Sequence, residues 1–582
     1  MINYGILPTT QWKLSNGNPF IQDLFVKELG ISPIISRILT NRDIVDINEA
    51  KKYLSPSLKD LHNPFLMKDM NKGVQRLIKA FYQNEKIVIY GDYDADGITS
   101  VVVLSKFIRR IYNNIDYYIP DRITDGYGIN RKAIENMKGN GINLIITVDC
   151  GISDYDEIAF AKSIGIDTII LDHHEVPDQI PDAVAVINPH RLDCQFPFKH
   201  LAAVGIAFNF LIALRGKLRE EGFFGNKEYP NLKDYLDLVA LGTIGDICPL
   251  IDENRIFSKI GLELITIGER VGMKALKEIA GLENEPIDTG KASYSIIPRI
   301  NAAGRIASPN DAVQLLLTDN IDEAREIAKK LDGYNRKRQI MEKIILADIL
   351  DEIDKKGHHE MKGPLVFASE KWHPGIIGIV ASRLVDRYYR PTILISLKDG
   401  IGKGSGRSIA DFNIYDSLKE CDSLLLSYGG HRFAAGISIR EEDIETFKKV
   451  LDEIFNRDLE SSNLQSQTNI DAQCNLDEIN HDLLSQIGML SPFGNKNPEP
   501  ILCVRNVSIT SPSVVGNNHL RMRVNSAGVS CNSIWFSKGQ FINFLSGLSL
   551  DIAFTPQINL WNGNSDIQLK MKDISLPANP SA

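Results

Sequence analysis

Three short, almost wholly apolar runs constrain this chain more than any other feature: Ile87-Val-Ile-Tyr90, Leu144-Ile-Ile-Thr-Val148 and Asp167-Thr-Ile-Ile-Leu171. Their length and β-branched content suit strands, and their lack of polar alternation means that both faces are covered. Helical patterns lie between them, including a stretch from Thr99 to Tyr112. The order strand–helix–strand predicts an α/β lobe on a parallel sheet. Ligands of such sheets gather at the carboxyl ends of the strands.

Those ends are acidic. Asp92-Tyr93-Asp94-Ala95-Asp96 follows the first run, Asp149 the second and Asp172-His173-His174 the third. A fourth apolar stretch, Leu-Gly-Thr-Ile-Gly, closes on Asp246. Residues two apart in extended backbone face the same way, which predicts that Asp92, Asp94 and Asp96 converge, with Gly97 turning the chain into the next helix. Asp149 precedes Cys150-Gly151, a pattern that ordinary turns share. Two imidazoles beside a carboxylate suit Mn²⁺ as well as Mg²⁺. Asp94, Asp96, Asp149 and Asp246 carry four negative charges, which two divalent cations balance. Two cations about 3.5–4 Å apart lower the pKa of a water and stabilise the entering and leaving oxygens of an in-line displacement. The expected chemistry is phosphoester hydrolysis. Cys150 and Cys248 flank these acids without a partner spacing and read as packing.

At 582 residues the chain exceeds a single core. Residues 1–80 read as an N-terminal cap of short helices, and residues 81–320 as the α/β lobe. Residues 321–356 form a charged amphipathic run with Ile327, Leu331, Ile340, Ile344 and Ile349 among its apolar positions, read as a helix joining two lobes. A second α/β lobe follows over 357–458, opening with the strand-like Pro364–Ala368 and closing with a helix near 441–456. Residues 459–469 are polar and Ser-rich, a linker pattern. The remainder, to 582, shows short strands at 501–509, 519–524, 530–536 and 549–554 and a hairpin on Asn562-Gly563, as in a small barrel.

A net charge of -9 argues against coating nucleic acid by bulk electrostatics but leaves room for a local basic channel. Seven scattered cysteines without a CxxC pair give no disulfide framework or zinc knuckle. No run is apolar enough to cross a bilayer and the start lacks a signal-peptide pattern, so the expectation is a cytoplasmic protein.

In this order the motifs resemble the DHH phosphoesterase superfamily. Tyr-Gly-Asp-Tyr-Asp-Ala-Asp-Gly, Thr-Val-Asp-Cys-Gly, Leu-Asp-His-His-Glu and Gly-Thr-Ile-Gly-Asp look like the four motifs of its bacterial RecJ branch. Pro298–Arg305, Trp372–Ser382, Gly404–Ser408, Gly429–Gly436, Pro492–Gly494 and Asn497–Pro500 extend the match over all but the first 80 residues. The resemblance implies a two-metal, parallel-sheet DHH catalytic lobe, a DHH-associated second α/β lobe joined by the long helix, and a C-terminal OB-type β-barrel. It implies a single-stranded-DNA-specific exonuclease of recombination and repair, running 5′ to 3′ and releasing nucleoside 5′-monophosphates. By the same resemblance Asp94, Asp96, Asp149, His173 and Asp246 are metal ligands, His174 lies beside the scissile phosphate and Asp92 is a supporting acid. One departure is Tyr90, where many relatives place a histidine.

A directional nuclease must hold a chain end, which Arg and the amides of Gly-rich turns do best. Arg299, Arg305, Ser405, Arg407 and His431 are the candidates, and the resemblance places Ser405 and Arg407 at the terminal phosphate. Arg122 and Tyr127, in a Gly-flanked segment, have the chemistry of a single-strand track. Trp535, Phe536, Phe554 and Trp561 are further stacking candidates, about half of them expected in the barrel core. Single-stranded DNA is the expected partner of a monomer, with a single-stranded-DNA-binding protein and a helicase implied as collaborators. Two alternatives stay open: another DHH hydrolase of short oligonucleotides, cyclic dinucleotides or pyrophosphate, and a non-catalytic single-strand-binding protein.

Overall fold

The computed structural model describes residues 11–577 except 123–125, 127, 226–227, 357–362, 460–466, 546 and 562–563. In the first lobe five parallel strands stand in the order Ile115–Tyr118, Lys86–Gly91, Ile142–Val148, Asp167–Leu171 and Ala185–Ile187. One face, with Ile87, Ile89, Leu144 and Ile146, packs on the helices Ala95–Arg109 and Ala203–Glu220. Val88, Tyr90, Ile145 and Ile170 pack on the other side with Ile134 and Ile158. Burial on both faces is what the unbroken apolar runs require.

The helix expected from Thr99 begins at Ala95, because Asp94 caps it by accepting from the amides of Asp96 (2.9 Å) and Gly97 (3.2 Å). Asp96 therefore stands in the first helical turn, and the extended alternation expected of the three acids does not occur. Gly97 makes no turn either. It lies within the helix, where a Cβ would come 2.5 Å from the Asp92 carbonyl oxygen, so close backbone approach is what excludes a side chain.

The connecting helix runs Ile321–Lys356, 36 residues and so about 54 Å long. Ala324, Ile327, Ala328 and Leu331 pack into the first lobe, and Ile345, Ile349 and Ile353 into the second. Ile340 and Ile344, expected on the apolar stripe, are more than half exposed. At 3.6 residues per turn Leu331 and Ile349 share a face, while Ile340, midway between them, falls on the opposite one.

The second lobe holds a five-stranded sheet in the order Leu425–His431, Ala434–Arg440, Ile401–Arg407, Thr392–Lys398 and Leu365–Ser369. Only the last pair is parallel. Beyond it, Leu502–Val515, His519–Ser526, Val529–Trp535, Asn564–Ser575 and Ser549–Trp561 pair in sequence, and the last returns to the first. Five strands thus close a barrel with the one parallel contact of an OB fold. The turn at Asn562-Gly563 lies outside the described residues.

The N-terminal cap packs on the barrel module, which the division into cap and linker did not anticipate. Gln467–Ile470, the end of the expected linker, pairs in parallel with Gln11–Leu14. The helices Pro19–Leu29 and Pro33–Asn41 bury Phe25, Ile35 and Ile38 in one core with Leu483, Leu502 and Phe554 of the barrel module. The helix Met70–Tyr82 belongs instead to the core of the first lobe.

Candidate metal centre

Four segments bring their acids together at the carboxyl edge of the parallel sheet. Asp92 leaves the strand Lys86–Gly91, Asp94 caps the helix that follows and Asp96 lies one residue inside it. Asp149 leaves Ile142–Val148 with φ +61°, a left-handed conformation that an aspartate tolerates better than most residues. Asp246 ends the helix Leu236–Gly245, which approaches so closely that a Cβ on Gly242 would lie 2.9 Å from Asp96 Oδ1.

His173 sits in the middle. Its Nε2 lies 3.2 Å from Asp149 Oδ1 and 3.9 Å from Asp96 Oδ2, and its Nδ1 lies 3.7 Å from Asp246 Oδ2. Asp92, Asp94 and Asp149 offer oxygens within 4.8 Å of one another, as do the donor atoms of Asp149, His173 and His174. Asp92, expected only as a supporting acid, thus stands among the donors. Asp96 is wholly buried and accepts from the amides of Ala203 (2.7 Å) and Val204 (2.9 Å), which fixes both oxygens at a helix N-terminus.

The electrostatics of this cluster call for cations. Burial, then Asp94, pushes the Asp92 carboxyl well above its ordinary range. Burial, then Asp246 and Asp94, does the same to Asp96, and burial followed by four neighbouring acids to Asp149. Asp246 is raised by burial, with His173 opposing. Asp246 also stands at the negative end of a helix dipole, where a carboxylate is disfavoured. Asp92 Oδ1 and His173 Nε2 are buried without a hydrogen-bond partner among the described residues. Buried polar atoms are rarely left so, and a group of acids and one imidazole fits divalent metal.

Asp172 and His174 form a separate unit. Asp172 Oδ1 accepts from the amides of His173 (2.8 Å) and His174 (3.1 Å) and lies 2.8 Å from His174 Nδ1, while Oδ2 accepts from Ile152 N at 3.0 Å. Complete burial raises the Asp172 carboxyl, but the bond and charge of His174 outweigh it and hold it at about 2. Burial lowers His174, and Asp172 reverses this and lifts it to about 9. Asp172 thus favours the charged form of His174.

A cationic wall flanks the cluster. Arg407, on the strand Ile401–Arg407, donates to Ser405 Oγ (3.2 Å) and to the Gly406 carbonyl (2.7 Å). Arg305 donates to the Gly375 carbonyl (3.1 Å), and Arg122 lies 5.1 Å over the Tyr93 ring. Neither Arg305 nor Arg407 has a carboxylate ion-pair partner among the described residues. Burial, then Arg122, depresses both, Arg305 to about 10. His373 is lowered by burial and then Arg122, and His431 by burial and then Arg407. Glu175, His174 and Asp246 also act on His431, so the second lobe reaches over the acid cluster. Five arginine or imidazole groups near one another, two of the arginines without a carboxylate ion pair among the described residues, suit an anion.

Several expected contacts fall elsewhere. Arg299 is engaged by Asp332 of the connecting helix (2.8 Å) and by the Ser295 carbonyl, so it ties two helices together. Tyr127 lies outside the described residues, as does the side chain of Trp561. Trp535 and Phe554 are core, whereas Phe536 is 45% exposed.

Two asparagines that the sequence reading passed over support the acids. Asn301 Oδ1 accepts from Ala95 N at 2.7 Å, bracing the Asp94 turn. Asn495 Nδ2 donates to the Ile247 carbonyl and its own carbonyl accepts from Leu250 N, both at 2.8 Å. Ile247 has φ +57°, strained for a β-branched residue, so the turn bearing Asp246 is held from outside. Cys248 is more than packing, since its Sγ lies 3.0 Å from Asp246 Oδ2.

Comparison with known proteins agrees with this geometry. Residues 86–243 match the DHH family N-terminal domain, 362–457 the DHHA1 domain and 470–573 the RecJ OB domain. The single-stranded-DNA-specific exonuclease RecJ of Bacillus subtilis is 35% identical over 97% of this chain and 71% of its own length. That of Escherichia coli is 34% identical over 94% of this chain and 96% of its own. The crystal structure of Thermus thermophilus RecJ in complex with Mn²⁺ superposes with a TM-score of 0.84, at 26% identity, over 98% of this chain and 80% of that one.

Proposed function

Since the chain belongs to the RecJ family of single-stranded-DNA-specific exonucleases, we propose that it degrades single-stranded DNA from the 5′ end and releases nucleoside 5′-monophosphates. The observation that supports an end-bound strand beside a metal centre is the juxtaposition of a buried acid–imidazole cluster with arginines that lack carboxylate ion pairs among the described residues.

Asp92, Asp94, Asp96, Asp149, His173 and Asp246 would hold two divalent cations, Mn²⁺ or Mg²⁺. When bound, these supply charge neutralisation and activation of water for in-line displacement at phosphorus. The protein's own groups do the rest. Arg407, Ser405, Arg305 and Arg122 hold the terminal phosphate, which sets where the next phosphodiester lies relative to the acids. Asp172 holds the His174 ring through Nδ1, which supports a His174 contact with the scissile phosphate. His431 of the second lobe acts electrostatically on the same region as His174 of the first, which supports a substrate held between the lobes. Exposed Phe536 gives the barrel a side chain on which a base of the strand can stack.

An enzyme that degrades only single strands works with a helicase to open duplex and a single-stranded-DNA-binding protein to keep it open, in recombination and repair. No helix among the described residues is long and apolar enough to cross a membrane; a DNA substrate supports a cytoplasmic enzyme.

The test is a long single-stranded oligonucleotide labelled at either end, with Mn²⁺ or Mg²⁺, beside pyrophosphate and a dinucleotide. Mononucleotides appearing first from the 5′ label support this function. Turnover of only the small substrates, or binding without turnover, overturns it.

A further inference from the structure

The His173 ring divides the acid cluster into two unlike halves. Asp149 and Asp96 face Nε2, with His174 beside Asp149 and no sulfur donor in that group. Asp246 faces Nδ1 at 3.7 Å, and beside it stands a sulfur, Cys248 Sγ, 3.0 Å from Asp246 Oδ2. One donor atom from each of His173, Asp246 and Cys248 lies within 4.8 Å of the others. The Cys248 side chain is buried, and its thiol is turned to the carboxylate. This half also has the C-terminal end of the helix Leu236–Gly245 behind it, whose carbonyls add negative potential. Oδ1 of Asp92 and Nε2 of His173, buried without a hydrogen bond among the described residues, mark the same cluster as built for ions.

We propose that Cys248 is a soft-donor ligand, making with His173 and Asp246 a nitrogen–oxygen–sulfur site for a thiophilic divalent ion such as Zn²⁺, Cd²⁺ or Co²⁺. The proposal rests on the metal-centre reading and goes beyond it, because Mn²⁺ and Mg²⁺ chemistry has no use for a thiol. As the ion binds, a metal–sulfur bond forms and the thiol proton passes to water. A soft ion seated there competes for His173 and Asp246, two of the donors that turnover requires. Zn²⁺ is thus an inhibitor whose grip depends on Cys248.

The test uses the full-length protein, stripped of metal and titrated with Co²⁺. Equilibrium dialysis counts bound ions, and near-ultraviolet absorption reports any sulfur-to-cobalt charge-transfer band. Wild type is compared with Cys248→Ser, whose hydroxyl still donates to Asp246, and with Cys150→Ser. The expected result is a band in wild type and Cys150→Ser, and bound Co²⁺ without the band in Cys248→Ser. Zn²⁺ affinity is expected to fall about tenfold or more in Cys248→Ser while Mn²⁺ affinity changes little. Bound Co²⁺ without a band in wild type, or a band that survives Cys248→Ser, overturns the ligand role and leaves the metal centre standing. If no Co²⁺ binds at all, the metal centre itself falls, and this site with it.

Discussion

Asn495 donates its side-chain amide to the Ile247 carbonyl at 2.8 Å, across 248 positions of sequence. Asp246 immediately precedes that carbonyl, and the backbone at Ile247 is left-handed. The loop before the barrel thus fixes the direction in which a metal-site carboxylate points. In Asn495→Ala the turn loses its outside brace, and Mn²⁺ affinity is expected to fall about tenfold, the usual cost of removing an outer-shell partner. Calorimetric titration with Mn²⁺, alongside a melting curve showing the fold intact, checks this. Unchanged affinity would mean that the turn holds itself.

Asp149 carries the sharpest conflict between folding and function. It is buried, left-handed and surrounded by like charges. Asn is the informative replacement because it keeps the shape and tolerates the positive φ. Asp149→Asn is expected to reduce turnover by more than ~10²-fold while single strands still bind. Its EDTA-treated form is expected to melt above the EDTA-treated wild type, since one buried repulsive charge is gone. A wild-type rate removes Asp149 from the site.

Arg407 tests the polarity. Charge-assisted hydrogen bonds to phosphate contribute roughly 1.5–3 kcal/mol, about ten- to a hundredfold in kcat/KM. Arg407→Ala is expected to lose that factor on 5′-phosphorylated strands and much less on 5′-hydroxyl strands, with Mn²⁺ affinity unchanged. An equal loss on both ends would place the arginine elsewhere on the strand.

The parallel sheet was legible because its central strands are apolar without alternation, and the acids because they stand where those strands stop. Local geometry was harder to see. The capping bonds of Asp94 start a helix at Ala95, so convergence of Asp92, Asp94 and Asp96 comes from a strand end, a cap and a helical turn. The exposure of Ile340 and Ile344 was available from helical arithmetic alone. Arg299 could not be told from Arg305, because its partner Asp332 lies on a distant helix. Asn495 and the pairing of Gln11–Leu14 with Gln467–Ile470 are long-range contacts that no local pattern announces.

Glu253 gives a pH signature away from the metal centre. The side chain is fully buried and accepts from His62 N at 2.7 Å and Asn209 Nδ2 at 2.9 Å. Burial outweighs both bonds and lifts its carboxyl to about 7 from 4.5. The folded protein thus holds this proton more tightly than the unfolded chain. The resulting stability is fully present below about pH 4.5 and is lost as pH rises through about 7, up to ~3 kcal/mol in all. Glu253→Gln cannot titrate, and Asn209, whose Oδ1 lacks a partner among the described residues, can turn its amide to accept from the new one. The difference in urea midpoint between about pH 5 and about pH 8 is expected to shrink in the variant relative to wild type. Other titrating groups contribute equally to both proteins, so the comparison isolates this carboxyl. Equal pH differences would show that Glu253 is ionised in the folded chain and that its two hydrogen bonds suffice to keep it so.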